Sequence, residues 1–390
     1  MKKFNFIIIA GFYLLFANCT AELNSDSSLN EQSGSVKSEE AAIAGLACSP
    51  KPKLHYVSTY AGTGAAGSSD GQRLEATFND VAGVAIDKYG NLIVVDAIGN
   101  KIRKINTNGI TYTIAGNGNT GGDDGPAMQA TFWQPEGVAV DANSNIYVSD
   151  LNNKVRKISP SGKVTTFAGS GAYGSADGPA YNASFKYIHD MAFDKEGNLF
   201  VTDIQNHKIR KISKNGTVST YAGTGNPGSN DGPANKACFL EPIGIAVDDA
   251  GNVYVSDGNH KIRKITEKGM VSTYAGTGKS GFDDGPAHKA SFYFPGSLSF
   301  DSYGNLYVTE SGNYKVRKIT PEGFVVTLAG DGTRGNADGP GYKANFDGPT
   351  GIALDRSRNI FVGDGFNNTV RLISPQVLQD DKEILTSIDK

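Results

Sequence analysis

The sequence predicts an all-β chain: a six-bladed β-propeller of four-stranded antiparallel blades, with the last blade closed by the N-terminal strand. Three observations carry this expectation. Six phenylalanines, Phe78, Phe132, Phe185, Phe239, Phe292 and Phe346, recur at spacings of 54, 53, 54, 53 and 54 residues. Each is followed by short segments rich in Val, Ile, Tyr and Thr and bounded by Gly, Asn or Asp, the pattern of β-strands. No stretch sustains a helical period, so helices are limited to single turns. Repeats of this length with four strands each are propeller blades, and closed rings hold about 4–8 of them.

Each unit follows one order. A first strand reads G-[VI]-A-[VI]-D, as at 83–87, 137–141 and 244–248. A turn ending in Gly-Asn leads to a second strand such as 145–150, then to a third reading K-[IV]-R-K-I at 101–105 and 261–265. The fourth reads V-S-T-Y-A-G at 218–223 and 271–276. After the last third strand, at 369–373, that fourth segment is missing, and its counterpart lies upstream of the first unit at 57–62. Pairing the two ends closes the ring and removes an exposed sheet edge.

The motif running from Asp231-Gly232-Pro233-Ala234 through Ile262-Arg263-Lys264-Ile265 resembles the NHL repeat family. The resemblance covers roughly residues 55–374. It implies the six-bladed ring and leaves function open, because the family includes binding and scaffolding modules while related propellers include lactonases and lyases. The lyases use several inward histidines, a pattern this chain lacks. The lactonase-like relatives hold a divalent metal with inward Glu, Asn and Asp. Some cytoplasmic NHL proteins bind RNA, which conflicts with the export signal and acidic balance described next.

Lys2 and Lys3 precede an apolar stretch too short to span a membrane, which reads as a secretory signal over 1–18. Phe16-Ala17-Asn18-Cys19 resembles a relaxed bacterial lipobox, which implies that Cys19 is acylated and becomes the mature N-terminus. An ordinary signal with an incidental cysteine is the alternative. Residues 19–54 hold the lipidated cysteine and a Ser- and Glu-rich tether, 55–374 the propeller, and 375–390 a C-terminal tail. The expected location is the bacterial envelope, on the outer membrane, with the membrane reached only through the lipid. Removing the signal leaves 35 basic against 40 acidic side chains, a charge of −5 that gives no reason to bind nucleic acid. Three cysteines exclude a disulfide scaffold, and a Cys48–Cys238 bridge is not expected. The 49 glycines fall largely in turns of the repeat.

Residues found in every unit mark structure. Asp96, Asp150, Asp203, Asp257, Glu310 and Asp364 end the second strands, and Arg103, Arg156, Arg210, Arg263, Arg317 and Arg371 follow six or seven residues later. They are expected to pair as a girdle. The Asp of Asp124-Gly125, Asp177-Gly178, Asp284-Gly285 and Asp338-Gly339 is expected to cap a helical turn. The third strands carry 16 basic residues in a band read as a solvated outer wall, with polyanion binding as the sharper alternative.

Function is sought where the units differ. One slot before each first strand reads Ala82, Glu136, His189, Ile243, Gly296 and Thr350, and it should ring the channel mouth. The next slot holds Asp190 and Ser297 among glycines, and flanking positions carry Trp133, Tyr187, Glu241 and Tyr293. The candidate ligand site is therefore Trp133, Glu136, Tyr187, His189, Asp190, Glu241 and Tyr293, holding part of a protein, peptide or glycan. The leading expectation is a monomeric binding protein without cofactor. The alternative is an enzyme using Glu136, His189 and Asp190 with one divalent metal ion. His207 and His260 read as turn residues, and no G-x-S-x-G, H-E-x-x-H or P-loop motif is present.

Overall fold

The computed structural model describes residues 55–375 and places them in six antiparallel sheets, one per repeat, arranged as the blades of a propeller. The first blade runs outward through Val81–Ile86, Leu92–Asp96, Lys101–Ile105 and Ile110–Ala115. Each second strand is buried along its whole length, because its two faces pack against neighbouring blades. The helices among the described residues are two 3-10 turns, Ile204–Asn206 and Gly365–Asn367. Closure follows the repeat phase. His55–Ala61 pairs antiparallel with Thr369–Pro375, with Val57 opposite Ile373 and Thr59 opposite Arg371.

Each blade has five strands rather than the expected four. A two-residue strand, such as Gly125–Pro126 in the second blade, lies outside the fourth strand, and Val164 pairs with Gly125. This changes the reading of the Asp-Gly motif. The carbonyl of Pro126 accepts from the amides of Gln129 and Ala130, so a single turn does follow. Asp124 does not cap it. Its Oδ2 accepts the Thr166 amide of the fourth strand, and its Oδ1 binds Arg156 Nη2 at 2.7 Å.

That contact completes the girdle. Every second-strand carboxylate pairs with its third-strand arginine at 2.7–3.2 Å, and both partners are fully buried. The Asp immediately before each edge strand supplies a second carboxylate at 2.6–2.7 Å. Two carbonyls join them; for Arg103 these are Thr77 O at 3.0 Å and Ser69 O at 2.8 Å, while its Nε is buried without a partner. The repeat phenylalanine lies under each guanidinium, 5.0–5.3 Å from ring centre to Cζ. The basic band is therefore not an outer wall. Its six arginines are buried, and the lysines beside them stay partly exposed.

Cys238 fills the slot of Thr77 and Ser184 as a free, partly buried thiol, 3.3 Å from Thr224 Oγ1. Cys48, the signal, the tether with Cys19 and the tail beyond 375 lie outside the described residues.

Removing one partner of a buried charge pair strands the other in a dry interior. Arg210→Ala, which leaves Asp203 buried and Phe185 uncovered, should cost about 3–5 kcal/mol in urea unfolding at pH 7. Asp177→Asn, at the half-exposed end of the same network, should cost about 1 kcal/mol.

Candidate functional site

The loops that enter the first strands gather at one end of the ring, and a recurrent latch fixes their backbone. Asp80, Gln134, Tyr187, Glu241, Phe294 and Gly348 occupy one slot, and all have positive φ, from 39° to 65° for the five with side chains. Left-handed backbone costs such residues about 1–3 kcal/mol unless neighbours impose it. Five of the six amides in this slot donate to a side chain of the preceding blade: Asp80 to Asn368 Oδ1, Gln134 to Asn100 Oδ1, Tyr187 to Asn153 Oδ1, Glu241 to His207 Nδ1 and Phe294 to His260 Nδ1. The sixth counterpart is Tyr314, and glycine occupies the slot it faces. His207 and His260 are thus turn residues, as expected, and their ring nitrogens also act as asparagine does.

Two residues further on, Ala82, Glu136, His189, Ile243, Gly296 and Thr350 ring the mouth. The Tyr187 hydroxyl lies 3.5 Å from Glu136 Oε1, a long hydrogen bond, and its ring stands edge-on to His189 at 6.3 Å. Burial, then the charge of Asp80, pushes the Glu136 carboxyl up to about 8, with the Tyr187 contact acting against them. Burial and the charge of Asp96 push Asp80 up to about 6. Burial holds His189 down at about 4 against a backbone hydrogen bond at Ile243, and its Nδ1 is buried without a partner. Near neutral pH the Glu136 carboxyl and the imidazole are both uncharged. Asp80 was missed in the sequence, although it shares the slot of Tyr187 and Glu241.

The ring narrows at the next position. The Gly83 amide donates to Glu136 O of the neighbouring blade at 2.9 Å, and a Cβ on Gly83 would stand 2.5 Å from that oxygen. Asp190 and Ser297 interrupt this series of glycines. Asp190 Oδ1 accepts the Met191 amide at 2.8 Å, while Oδ2 accepts Ser297 Oγ at 3.0 Å and the Ile245 amide at 3.3 Å. Burial raises the carboxyl to about 6 against those bonds. Asp190 therefore ties three blades together above a 290 Å³ channel cavity lined by Val84, Val138, Met191, Ile245, Leu298 and Ile352.

Glu136, Tyr187 and His189 are brought together; the other predicted residues have separate partners. Trp133 is exposed and accepts the Leu151 amide at its carbonyl. Glu241 is held by His207, and Tyr293 packs against His260 and Phe294 while its amide donates to Glu310. Among the described residues, no three His, Cys, Asp or Glu side chains converge as a set of metal ligands.

Residues 224–281 match the family model of the teneurin NHL domain. Over 335 residues the chain is 28% identical to NHL repeat-containing protein 2 of Bos taurus, covering 74% of this chain and 46% of the relative. The chain is similar in sequence and fold to NHL repeat proteins. It is also 29% identical to the chloroplastic protein SUPPRESSOR OF QUENCHING 1 of Arabidopsis thaliana, over 70% of itself and 28% of that protein. It spans less than half the length of both relatives. Its fold is similar to that of an auxiliary nutrient binding protein from Bacteroides ovatus, with TM-score 0.64 and 19% identity over 83% of this chain and 78% of that one.

The latch gives a direct test of the NHL loop end. His207→Ala should lower stability by about 1 kcal/mol, the net worth of one hydrogen bond. His207→Asn should restore it, because Asn100 and Asn153 make the same bond. Urea midpoints of the two variants decide the point.

Proposed function

We propose that this NHL propeller is a binding scaffold without a catalytic step of its own, exported and lipid-anchored to the bacterial envelope at the outer membrane. Its loop end takes a protein, peptide or glycan, and the channel mouth receives a cationic group such as a lysine ammonium of a protein or peptide ligand. The observation that carries this reading is the pair Asp80 and Glu136. They are enclosed acids, close enough for one to raise the other, and neither has an ion-pair partner among the described residues. Tyr187 offers an aromatic wall beside them. An arriving ammonium would favour the charged form of Glu136 and displace its proton.

A ring of this architecture is named as a nutrient binder in Bacteroides ovatus, which supports a binding role in kind. The hydrolytic reading would need Glu136, His189 and Asp190 around one ion. Both oxygens of Asp190 are already engaged with backbone amides and Ser297, so the geometry favours binding.

The sign of the pH dependence follows from the raised carboxyl. Below about 8, Glu136 holds a proton that the ligand must displace, so affinity should rise with pH toward that value and then level off. Titration with N-acetyl-lysine amide, whose amine stays charged to about pH 10, should show affinity climbing by roughly tenfold per unit between pH 6 and 7.5. Glu136→Gln should flatten that slope. A parent protein with pH-independent affinity would remove Glu136 from the site.

The anchor has its own test. Cys19→Ser should abolish incorporation of labelled fatty acid in the native host and release the protein from the membrane fraction. Unchanged labelling would move the anchor elsewhere.

A further inference from the structure

The junction between the first and second blades differs from the other five, at a place far from the mouth slots. At each junction three equivalent side chains meet: the second residue of the second strand, the penultimate residue of the fourth, and the last residue of the next blade's first strand. In five junctions at least one of them is aromatic, as in Tyr147, Phe167 and Phe193, whose rings stand edge-on at 4.9–5.0 Å. In the first junction they are Ile93, Ile114 and Val140.

The other blades show what usually occupies this place. Where the second-strand residue is tyrosine, its hydroxyl donates to the aspartate that opens the hairpin turn, at 3.3 Å for Tyr147 to Asp141, 3.2 Å for Tyr254 to Asp248 and 3.1 Å for Tyr307 to Asp301. The third-strand lysine lies over the same ring, with Lys157 5.5 Å and Lys264 5.1 Å from the centres of Tyr147 and Tyr254. In the first blade the aspartate and the lysine remain, but the ring is gone. Lys104 Nζ has dropped onto Asp87 Oδ2 at 2.9 Å, the acceptor that a tyrosine hydroxyl takes elsewhere. A cleft of 660 Å³ opens against Asp87, Lys104 and Ile114, with Tyr112 and Met128 at its rim. Ser144 Oγ in its lining is buried and has no hydrogen-bond partner.

We propose that this cleft is a binding site for a phenol ring, supplied by a tyrosine side chain of a peptide or by a free phenolic molecule. The ring lies against Ile114, its hydroxyl donates to Asp87 Oδ2, and Lys104 moves from the carboxylate to the ring face, as its counterparts stand in the second and fourth blades. The cation over the ring face and the charged acceptor both act in a partly desolvated cleft, where each is stronger than in water. The site is independent of the mouth.

Ligand-observed NMR on the full chain tests it with three probes: N-acetyltyrosinamide, N-acetylphenylalaninamide and p-cresol. The tyrosine derivative should bind roughly tenfold more tightly than the phenylalanine derivative, the worth of one hydrogen bond to a charged acceptor. Tyrosinamide binding more tightly than p-cresol assigns the site to peptides; equal affinity assigns it to free phenolics. Ile93→Tyr, which installs the repeat's own ring, should abolish binding and raise the melting temperature. Ile114→Phe blocks the same space should that variant fail to fold. Lys104→Met should weaken phenol binding several-fold and leave N-acetyl-lysine amide binding at the mouth unchanged. Equal affinity for the tyrosine and phenylalanine derivatives, or binding that survives both blocking variants, overturns the proposal.

Discussion

Six buried guanidinium groups hold this ring in its shape. An arginine removed from water is tolerated when its charge is matched and its terminal N–H groups are bonded, which these are, although the Nε of every one but Arg317 is buried without a hydrogen-bond partner. Each arginine here meets one carboxylate at the end of a second strand, another immediately before the two-residue edge strand, and two loop carbonyls, with a phenylalanine face beneath. Those partners come from opposite ends of the unit. One side chain therefore joins the edge strand, the A-x-F loop and the inner hairpin, and the recurrence of Asp-Gly, Phe, Asp and Arg in every unit is the sequence record of that demand.

A pinned backbone lets side chains vary without moving the loops that carry them. The latch extends this control to the mouth, where an asparagine or histidine acceptor holds the next blade's left-handed residue. The slot can then carry Asp80, Tyr187 or Glu241 with the same chain path. Where the acceptor is lost, at Tyr314, glycine stands in the slot and needs no such support.

Much of this was legible in the sequence. The spacing of the phenylalanines, the four main strands and the displaced copy at 57–62 led directly to a closed six-bladed ring, because periodicity reports burial. The edge strand was not legible. Gly125–Pro126 is two residues long, and its role depends on contacts such as Arg156 to Asp124, 32 residues apart. The pairing of each third-strand arginine with a second-strand carboxylate was legible, but its depth was not, since K-[IV]-R-K-I does not reveal that its central side chain points into a dry interior while the flanking lysines stay partly exposed. At the mouth, Glu136, Tyr187 and His189 stood out as departures from the repeat. Asp80 did not, because its importance lies in its effect on Glu136 from the neighbouring blade. Asp190 stood out correctly as unusual, but its sequence position could not show that Ser297 and the Ile245 amide already occupy it.

Departures from a repeat on a fixed backbone take two forms, with different chemistry. A substitution that adds a group, such as Glu136 where another blade has Ala82, brings a carboxyl into a partly buried place beside Asp80, and its protonation shifts accordingly. A substitution that removes a group, such as Ile93 where other blades have Tyr or Phe, leaves the partners of that group in place, here Asp87 and Lys104 on the wall of a cleft. In the first case the ligand must be chosen by the new group. In the second, the unaltered blades already contain its image, because Tyr147 and Tyr254 show how an aromatic ring, an aspartate and a lysine fit together. A repeat protein can therefore carry within its own sequence a description of a ligand it lacks.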